Sequence, residues 1–432
     1  MAKKIVIIGG GPGGVAAAIR ARQLGAEAAL VEVKDLGGVC MNAGCIPLRI
    51  LGTCREAASP AAEAGALGLQ PAELPLNVGG LEKRVQQTAQ HMRLGTRSLL
   101  QAKGVEVLTG EARLLGPGRV QLEGRTLAAD AVILATGAGW SLPDVPGAGL
   151  KGVRPPDPQS DITEAGRTIL LTAESDWAVE LAAFYARFGR TTTLITPEGF
   201  MSRFDRPIRV RLRNELKKEG VEVLRRTGIT SIRKTPRGLK VTLRIKDKTE
   251  ERTVDRVLFT RRAPRIDEAG LSEAGIGMAD GAVVVNERLQ TSLQGVYAIG
   301  DLIGPPFYSH KASSQGEMAA ENAMGGKRSY TDRLLPSVLF SRPEAAAVGL
   351  TEKAAKDEHE VVVVGEVPYG FNARAMAEMQ ESGVVRAVFD AKYRQLLGVH
   401  MLGPHSSELI TQAVLALQLE ATAEELADVI AP

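Results

Sequence analysis

The chain has 432 residues, 44% hydrophobic and 24% charged, ordinary globular values that exclude a disordered, collagen-like or coiled-coil protein. Its 53 basic and 50 acidic side chains leave a net charge of +3, too little for general nucleic-acid affinity, and no apolar run approaches the ~18 residues of a membrane span. Three cysteines cannot build a secretory disulfide framework, and the apolar run after Lys4 stops at glycines too early for a signal peptide. A cytoplasmic protein of two to four domains is expected, at ~150 residues each.

Lys4 to Ile8 is rich in β-branched residues and bounded by glycines, which predicts a short buried strand. Val15 to Leu24 reads as a helix and Ala28 to Glu32 as a second strand, giving one βαβ unit. Pro-rich sequence from Leu69 to Asn77 predicts a loop, Gly80 to Lys103 a long amphipathic helix, Val105 to Val120 strand, and Ala131 to Ala135 a buried strand. Gly147 to Gly166 reads as a linker carrying Pro155, Pro156 and Pro158. The pattern then restarts with strand Thr168–Thr172, helix Trp177–Phe188 and strand Thr191–Thr196, a degenerate repeat of the first unit. A strand at Val296–Ile299 ends the middle of the chain. Beyond Pro336, strands at Val361–Val367, Val384–Asp390 and Leu396–Met401 precede helices from Ser406, so this part reads as α+β.

The first strand runs into Gly9-Gly-Gly11-Pro12-Gly13-Gly14 and at once into a helix. Gly9 permits the tight turn, Gly11 lets a pyrophosphate approach the backbone, and Gly14 lets helix pack on strand. Glu32 ends the next strand, where it can accept a ribose hydroxyl. Next comes Gly37-Gly38-Val39-Cys40-Met-Asn-Ala-Gly44-Cys45-Ile-Pro47. Residues five apart on an ideal helix have Cα atoms ~8.6 Å apart, too far for a disulfide. Pairing therefore needs a distorted segment, and Gly37, Gly38, Gly44 and Pro47 supply the means. Spacing alone leaves two inert buried thiols equally open; Cys54 has no such context.

Here the chain resembles the pyridine nucleotide–disulfide oxidoreductases, the dihydrolipoamide dehydrogenases most closely. The likeness is carried by the cysteine segment, Ala135-Thr136-Gly137, Tyr297-Ala-Ile-Gly-Asp301, His310-Lys311-Ala312, Pro336-Ser-Val-Leu-Phe, Arg342 to Thr351 and Gly398 to Pro404, in the family's order over nearly the whole chain. The resemblance implies an α/β fold with two doubly wound, Rossmann-like dinucleotide-binding-type domains and a C-terminal α+β dimerisation domain. Residues 1–148 and 269–326 would bind FAD, 160–268 would form the second domain, and 327–432 the interface. It assigns Gly9, Gly11, Pro12, Gly13, Gly14, Glu32, Gly38, Val39, Ala135, Thr136, Gly137, Asp301, His310, Lys311 and Ala312 to FAD. Cys40 becomes the thiol that exchanges with substrate and Cys45 the one facing the flavin.

Three departures stand against the matches. The family usually continues Cys-Ile-Pro-Ser-Lys, with the lysine paired to a glutamate of the second domain; here Arg49 follows Leu48, and Glu180 keeps the glutamate's place. Arg49 retains the charge in a different shape. The second fingerprint falls at Ala173-Glu174-Ser175-Asp176-Trp177-Ala178, with side chains at all three glycine positions and Thr196 where an acid is expected. A Cβ blocks close backbone approach and the carboxylates repel phosphate, so NAD(P) binding is expected to be lost. The family also continues past this chain's Pro432 into a His-Pro-Thr segment and a glutamate that serve as acid–base, so that pair is expected to be missing.

The expected function is an FAD-dependent dithiol–disulfide oxidoreductase, with Cys40, Cys45, Arg49 and Glu180 as catalytic residues. It would act as a homodimer on a dithiol or disulfide substrate such as a lipoyl-bearing protein, with an unknown electron partner other than free NAD(H). The alternatives are a conventional NAD-dependent dihydrolipoyl dehydrogenase and, outside enzymes, a flavin-stabilised scaffold or regulatory subunit. Arg206, Arg209, Arg213 and Lys217 fall at helical spacing and read as a solvated basic stripe, and His400 and His405 as structural. No Cys/His/Asp cluster has metal spacing; neither a nucleic-acid nor a membrane partner is expected.

Overall fold

The computed structural model describes residues 2–158, 162, 166–197 and 199–430. Lys4–Ile8 lies at the centre of a five-stranded parallel sheet, between Glu27–Glu32 and Ala131–Leu134, with Glu106–Thr109 and Val296–Ala298 at the edges. Burial on both faces explains why its apolar run does not alternate. The helix Pro12–Gln23 covers one face with small residues, Ala17, Ala18 and Ala21 all buried, and lies against helix Ser309–Ala323. Their contact is close: a Cβ on Gly316 would stand 2.2 Å from the Gly13 carbonyl oxygen.

The restarted pattern builds a second parallel sheet in the order Val221–Arg225, Thr191–Thr196, Thr168–Thr172, Arg256–Phe259, Val153–Arg154. Helix Asp176–Arg187 buries Val179, Leu181, Ala182 and Phe184 against it. The third body is an antiparallel sheet, Ser337–Leu339, Ala345–Gly349, Leu396–Leu402, Val384–Asp390 and Val362–Pro368, with helix Ser406–Gln418 packed on its middle strands. Leu409 and Leu415 of that helix and the following Leu419 remain exposed. Two Rossmann-like regions and a smaller α+β region thus match the expected architecture.

Two local expectations need correction. Val105 to Val120 is not one stretch: Glu106–Thr109 joins the first sheet, while Ala112–Gly116 and Arg119–Leu122 start a separate antiparallel one. Gly110 and Gly116, at φ 144° and 137°, turn the chain out of the strand path. The expected linker is also not free chain, because Val153–Arg154 pairs with Val257 and Leu258 as an edge strand; residues 159–161 and 163–165 of it lie outside the described residues. No helix among the described residues is long and apolar enough to cross a membrane.

Candidate active site

A cavity of about 710 Å³ opens at the carboxyl end of the first sheet, and the predicted residues Gly9, Gly11, Pro12, Gly13, Glu32, Gly38, Val39, Cys40, Cys45, Ala135, Thr136, Gly137, Asp301 and Ala312 line it together. Gly9, at φ 111°, passes so close to the neighbouring strand that a Cβ would sit 2.3 Å from the Ala135 carbonyl oxygen. Gly14 works through packing, since a Cβ there would meet the Gly9 carbonyl oxygen at 1.9 Å. A Cβ on Gly11 would meet only the Gly38 Cα, at 3.9 Å, and would fill space on the cavity side. Glu32 accepts hydrogen bonds from the backbone N–H groups of Gly10 (2.7 Å) and Lys34 (3.0 Å). The Thr136 hydroxyl is buried on the wall with no protein partner. This bare backbone cradle at a helix N-terminus, with an orphaned hydroxyl beside it, fits the ADP half of FAD.

Two of the residues assigned to the cofactor fall elsewhere. His310 is exposed, stacks on Tyr308 and binds the Pro336 carbonyl oxygen at 2.9 Å. Lys311 is buried and donates to the Gly304 and Pro306 carbonyls at 2.8 and 3.2 Å. Successive helical residues point about 100° apart, so of this run only Ala312 reaches the cavity.

The cysteine segment is distorted where its glycines allow. Helix Gly38–Asn42 stops at Ala43, Gly44 takes φ −133° and ψ −109°, and a new helix begins at Cys45. A Cβ on Gly44 would lie 2.3 Å from the Trp177 ring. The break brings the two sulfurs into hydrogen-bond contact as free thiols. That hydrogen bond, ahead of burial, pushes the Cys40 thiol far up. Cys45 is lowered to about 7, first by Cys40, against burial, with help from Ser309 and the Arg262 charge. One proton is thus held on Cys40 and the negative charge on Cys45. Cys54 packs against the second-domain core, and burial raises its thiol.

Arg49 and Glu180 are not an ion pair. Arg49 faces Glu56 at 3.3 Å and stacks its guanidinium 4.3 Å from the Phe340 ring centre. Glu180 accepts from the Phe340 N–H at 3.3 Å. The planar arginine head prefers the ring and the half-buried Glu56 carboxylate to the more deeply buried Glu180. Burial therefore dominates Glu180 and raises it to about 7, the Phe340 N–H and the charges of Arg55 and Arg49 opposing and Asp176 adding to it. A carboxyl raised from 4.5 in the folded state stabilises fully at low pH and loses that contribution as pH climbs to about 7. Glu180→Gln should flatten this decline, worth up to about 3 kcal/mol, in urea unfolding compared at pH 5 and pH 8.

At the second fingerprint Ala173 and Ala178 are fully buried. Ser175 precedes helix Asp176–Arg187 without a side-chain cap. Glu174 is exposed, whereas Asp176 is turned inward to accept from the Tyr308 hydroxyl at 2.9 Å, its carboxyl raised by burial against that hydrogen bond. Thr196 is buried, its hydroxyl bound to the Leu224 carbonyl. Trp177 reaches over to the first cavity and meets Trp140 edge-on at 5.3 Å. Arg262 lies between the Trp177 and Phe307 rings, 5.3 and 5.1 Å away, and grips Asp301 at 2.6 Å. Arg262, Trp177 and Ser309 were missed as site residues because no spacing links them to the motifs they join. His400 is fully buried, its Nδ1 accepting from the Asp205 N–H and its Nε2–H donating to the Leu350 carbonyl. Arg206 and Lys217 are exposed, Arg209 and Arg213 half-buried. Among the described residues no group of three or more His, Cys, Asp or Glu side chains is gathered for a metal.

Comparison with known proteins gives this geometry a lineage. The family model described as pyridine nucleotide-disulphide oxidoreductase matches residues 3–325, and that family's dimerisation domain matches residues 335–432. A dihydrolipoyl dehydrogenase of Thermus scotoductus is 37% identical over 99% of this chain and 94% of its own length. The dihydrolipoyl dehydrogenase of Geobacillus stearothermophilus is 31% identical over 98% and 91%. Among solved structures, LpdA of Mycobacterium tuberculosis superposes with a TM-score of 0.90 at 24% identity, covering 100% of this chain and 96% of that one, a likeness of fold. The chain belongs to the pyridine nucleotide–disulphide oxidoreductases, as a flavoprotein disulfide oxidoreductase of the dihydrolipoyl dehydrogenase kind.

Proposed function

We propose that the protein oxidises or reduces a dihydrolipoyl-type dithiol, moving two electrons between it and FAD through Cys40 and Cys45. One observation carries this: both thiols line the same cavity as Gly9, Gly11, Pro12 and Gly13 of the cradle. A substrate thiolate attacks the Cys40 sulfur of the oxidised pair, the S–S bond breaks, and its electron pair leaves on Cys45. The substrate's second sulfur, as thiolate, then attacks the substrate sulfur held on Cys40, closing the substrate disulfide and returning Cys40 as a thiol. Of the two substrate protons, one ends on Cys40 and one in solvent. A Cys45 thiol near 7 is the better leaving group of the two. FAD, when bound, supplies the two-electron acceptor for that thiolate.

For the electron partner, the family's description supports a pyridine nucleotide, which makes the conventional NAD-linked dihydrolipoyl dehydrogenase the reading with the broader support. A different acceptor is favoured by one feature, the side chains at Ala173, Ser175 and Ala178 where a second pyrophosphate needs bare backbone. Anaerobic titration of the yellow protein with dihydrolipoamide, NADH and NADPH separates these readings. Dihydrolipoamide should bleach the flavin at stoichiometric concentration, and a flavin it leaves untouched sinks the proposal. If the fingerprint governs, nicotinamide nucleotides should bind on the order of 10²-fold more weakly than micromolar. Prompt bleaching by micromolar NADH would establish the conventional enzyme.

A further inference from the structure

Ser309 lies immediately ahead of the His310-Lys311-Ala312 run and opens helix Ser309–Ala323. It lines the cavity together with Cys40 and Cys45, where its hydroxyl lowers both thiols. The helix end that carries it is held from several sides. The Tyr308 hydroxyl donates to Asp176, Lys311 donates to the Gly304 and Pro306 carbonyls, and Gln315 accepts from the Gly300 N–H at 2.8 Å. The start of the helix that carries the hydroxyl is therefore held against the wall.

We propose that Ser309 is a catalytic residue of the dithiol half-reaction, its hydroxyl donating a hydrogen bond to the Cys45 sulfur as that sulfur leaves with the electron pair of the disulfide. The inference rests on Cys40 and Cys45 being the redox centre. A disulfide sulfur is a weak acceptor and a thiolate a strong one, so the bond strengthens as charge develops and favours the transition state over the ground state. No proton is transferred: the S–S bond breaks, the pair stays on Cys45, and the serine keeps its hydrogen. Two charged groups act on the same sulfurs. Arg262 reaches in from the second domain and favours charge on Cys45, and Asp301, which Arg262 grips, disfavours it on Cys40. Ser309 adds a directional donor to that field; the contact between the two cysteines is what puts the charge on Cys45 rather than Cys40.

The test uses isosteric variants of the FAD-loaded protein, Ser309→Thr keeping the hydroxyl and Ser309→Val removing it, with Ser309→Ala as a smaller second removal. After chemical reduction, iodoacetamide alkylation of Cys45 is followed by peptide mass from pH 5 to 10; Cys54 is resolved by its own peptide. The midpoint for Cys45 should rise by about one pH unit in the Val and Ala variants and stay near wild type in Thr. Reduction of the bound flavin by dihydrolipoamide should slow about 10-fold or more in the same two variants. Unchanged midpoints in both Val and Ala overturn the proposal, as does a Thr variant that behaves like Val. A wild-type protein that dihydrolipoamide fails to reduce would instead count against the redox role of the cysteine pair.

Discussion

Cys45→Ser and Cys40→Ser should each lower dithiol-driven flavin reduction by at least ~10³-fold, since neither serine can form or break the disulfide that splits the transfer into two steps. FAD content should be unchanged, because the cradle is built by Gly9, Gly11, Gly13 and Glu32 rather than by the sulfurs. The remaining thiols should diverge. Cys40 is pushed up first by its contact with Cys45, so in Cys45→Ser it should become more acidic and alkylate faster at neutral pH. Cys45 is lowered first by Cys40, so in Cys40→Ser it should rise above about 7 and alkylate more slowly. Rate against pH for each variant checks both directions. Two thiols that shift the same way would mean that they do not share one proton.

Arg386→Met should destabilise the protein by about 3–5 kcal/mol, the usual result of leaving buried charge without its partner. Arg386 is 7% exposed, and it joins Asp205 (3.1 Å), Glu352 (2.7 Å) and Glu366 between the second domain and the antiparallel sheet. Asp205 also caps the helix Arg206–Lys218, so the second domain is tied to the last one through the start of that helix. Without the guanidinium, three carboxylates face one another. Glu352 and Glu366, now lowered by Lys356, Arg211 and Arg386 against burial, would take up protons more readily. The loss should therefore be largest near pH 8 and shrink towards pH 5, measured by urea unfolding of wild type and variant. Equal loss at both pH values would show that the arginine acts by packing alone.

What could be read in advance followed from how local each signal is. The FAD cradle is contiguous, Gly9 to Gly14 with a strand before and a helix after, so short-range steric demands expose it. The α/β order was readable because buried parallel strands are unbroken apolar runs, as in Lys4–Ile8 and Thr168–Thr172. Val105 to Val120 misled because two strands of different sheets share the same composition and only the glycine backbone angles divide them. Arg49 misled because a charge match says nothing of the Phe340 ring that competes for it. Arg262 and Ser309 were invisible for the opposite reason. Each meets the cysteines only through the fold, more than 200 residues downstream in the chain.

The first sheet is finished by strand Val296–Ala298, and its glycine-rich helix lies on Ser309–Ala323. About 300 residues separate Gly13 from the Gly316 it touches, which is ~15–60 s of ribosome time at ~5–20 residues per second. Within that interval Ala131–Leu134, once made, waits about 160 residues as an unpaired sheet edge for Val296–Ala298, and the cradle lacks its supporting helix, whereas the second sheet, with all its strands between Val153 and Phe259, has everything it needs. A nascent chain of this protein thus completes its middle before its beginning, and exposes a sticky β-edge while it does so. Cofactor capture should therefore come late in its biosynthesis, and the half-made flavin region should be the part for which a chaperone has most to shield.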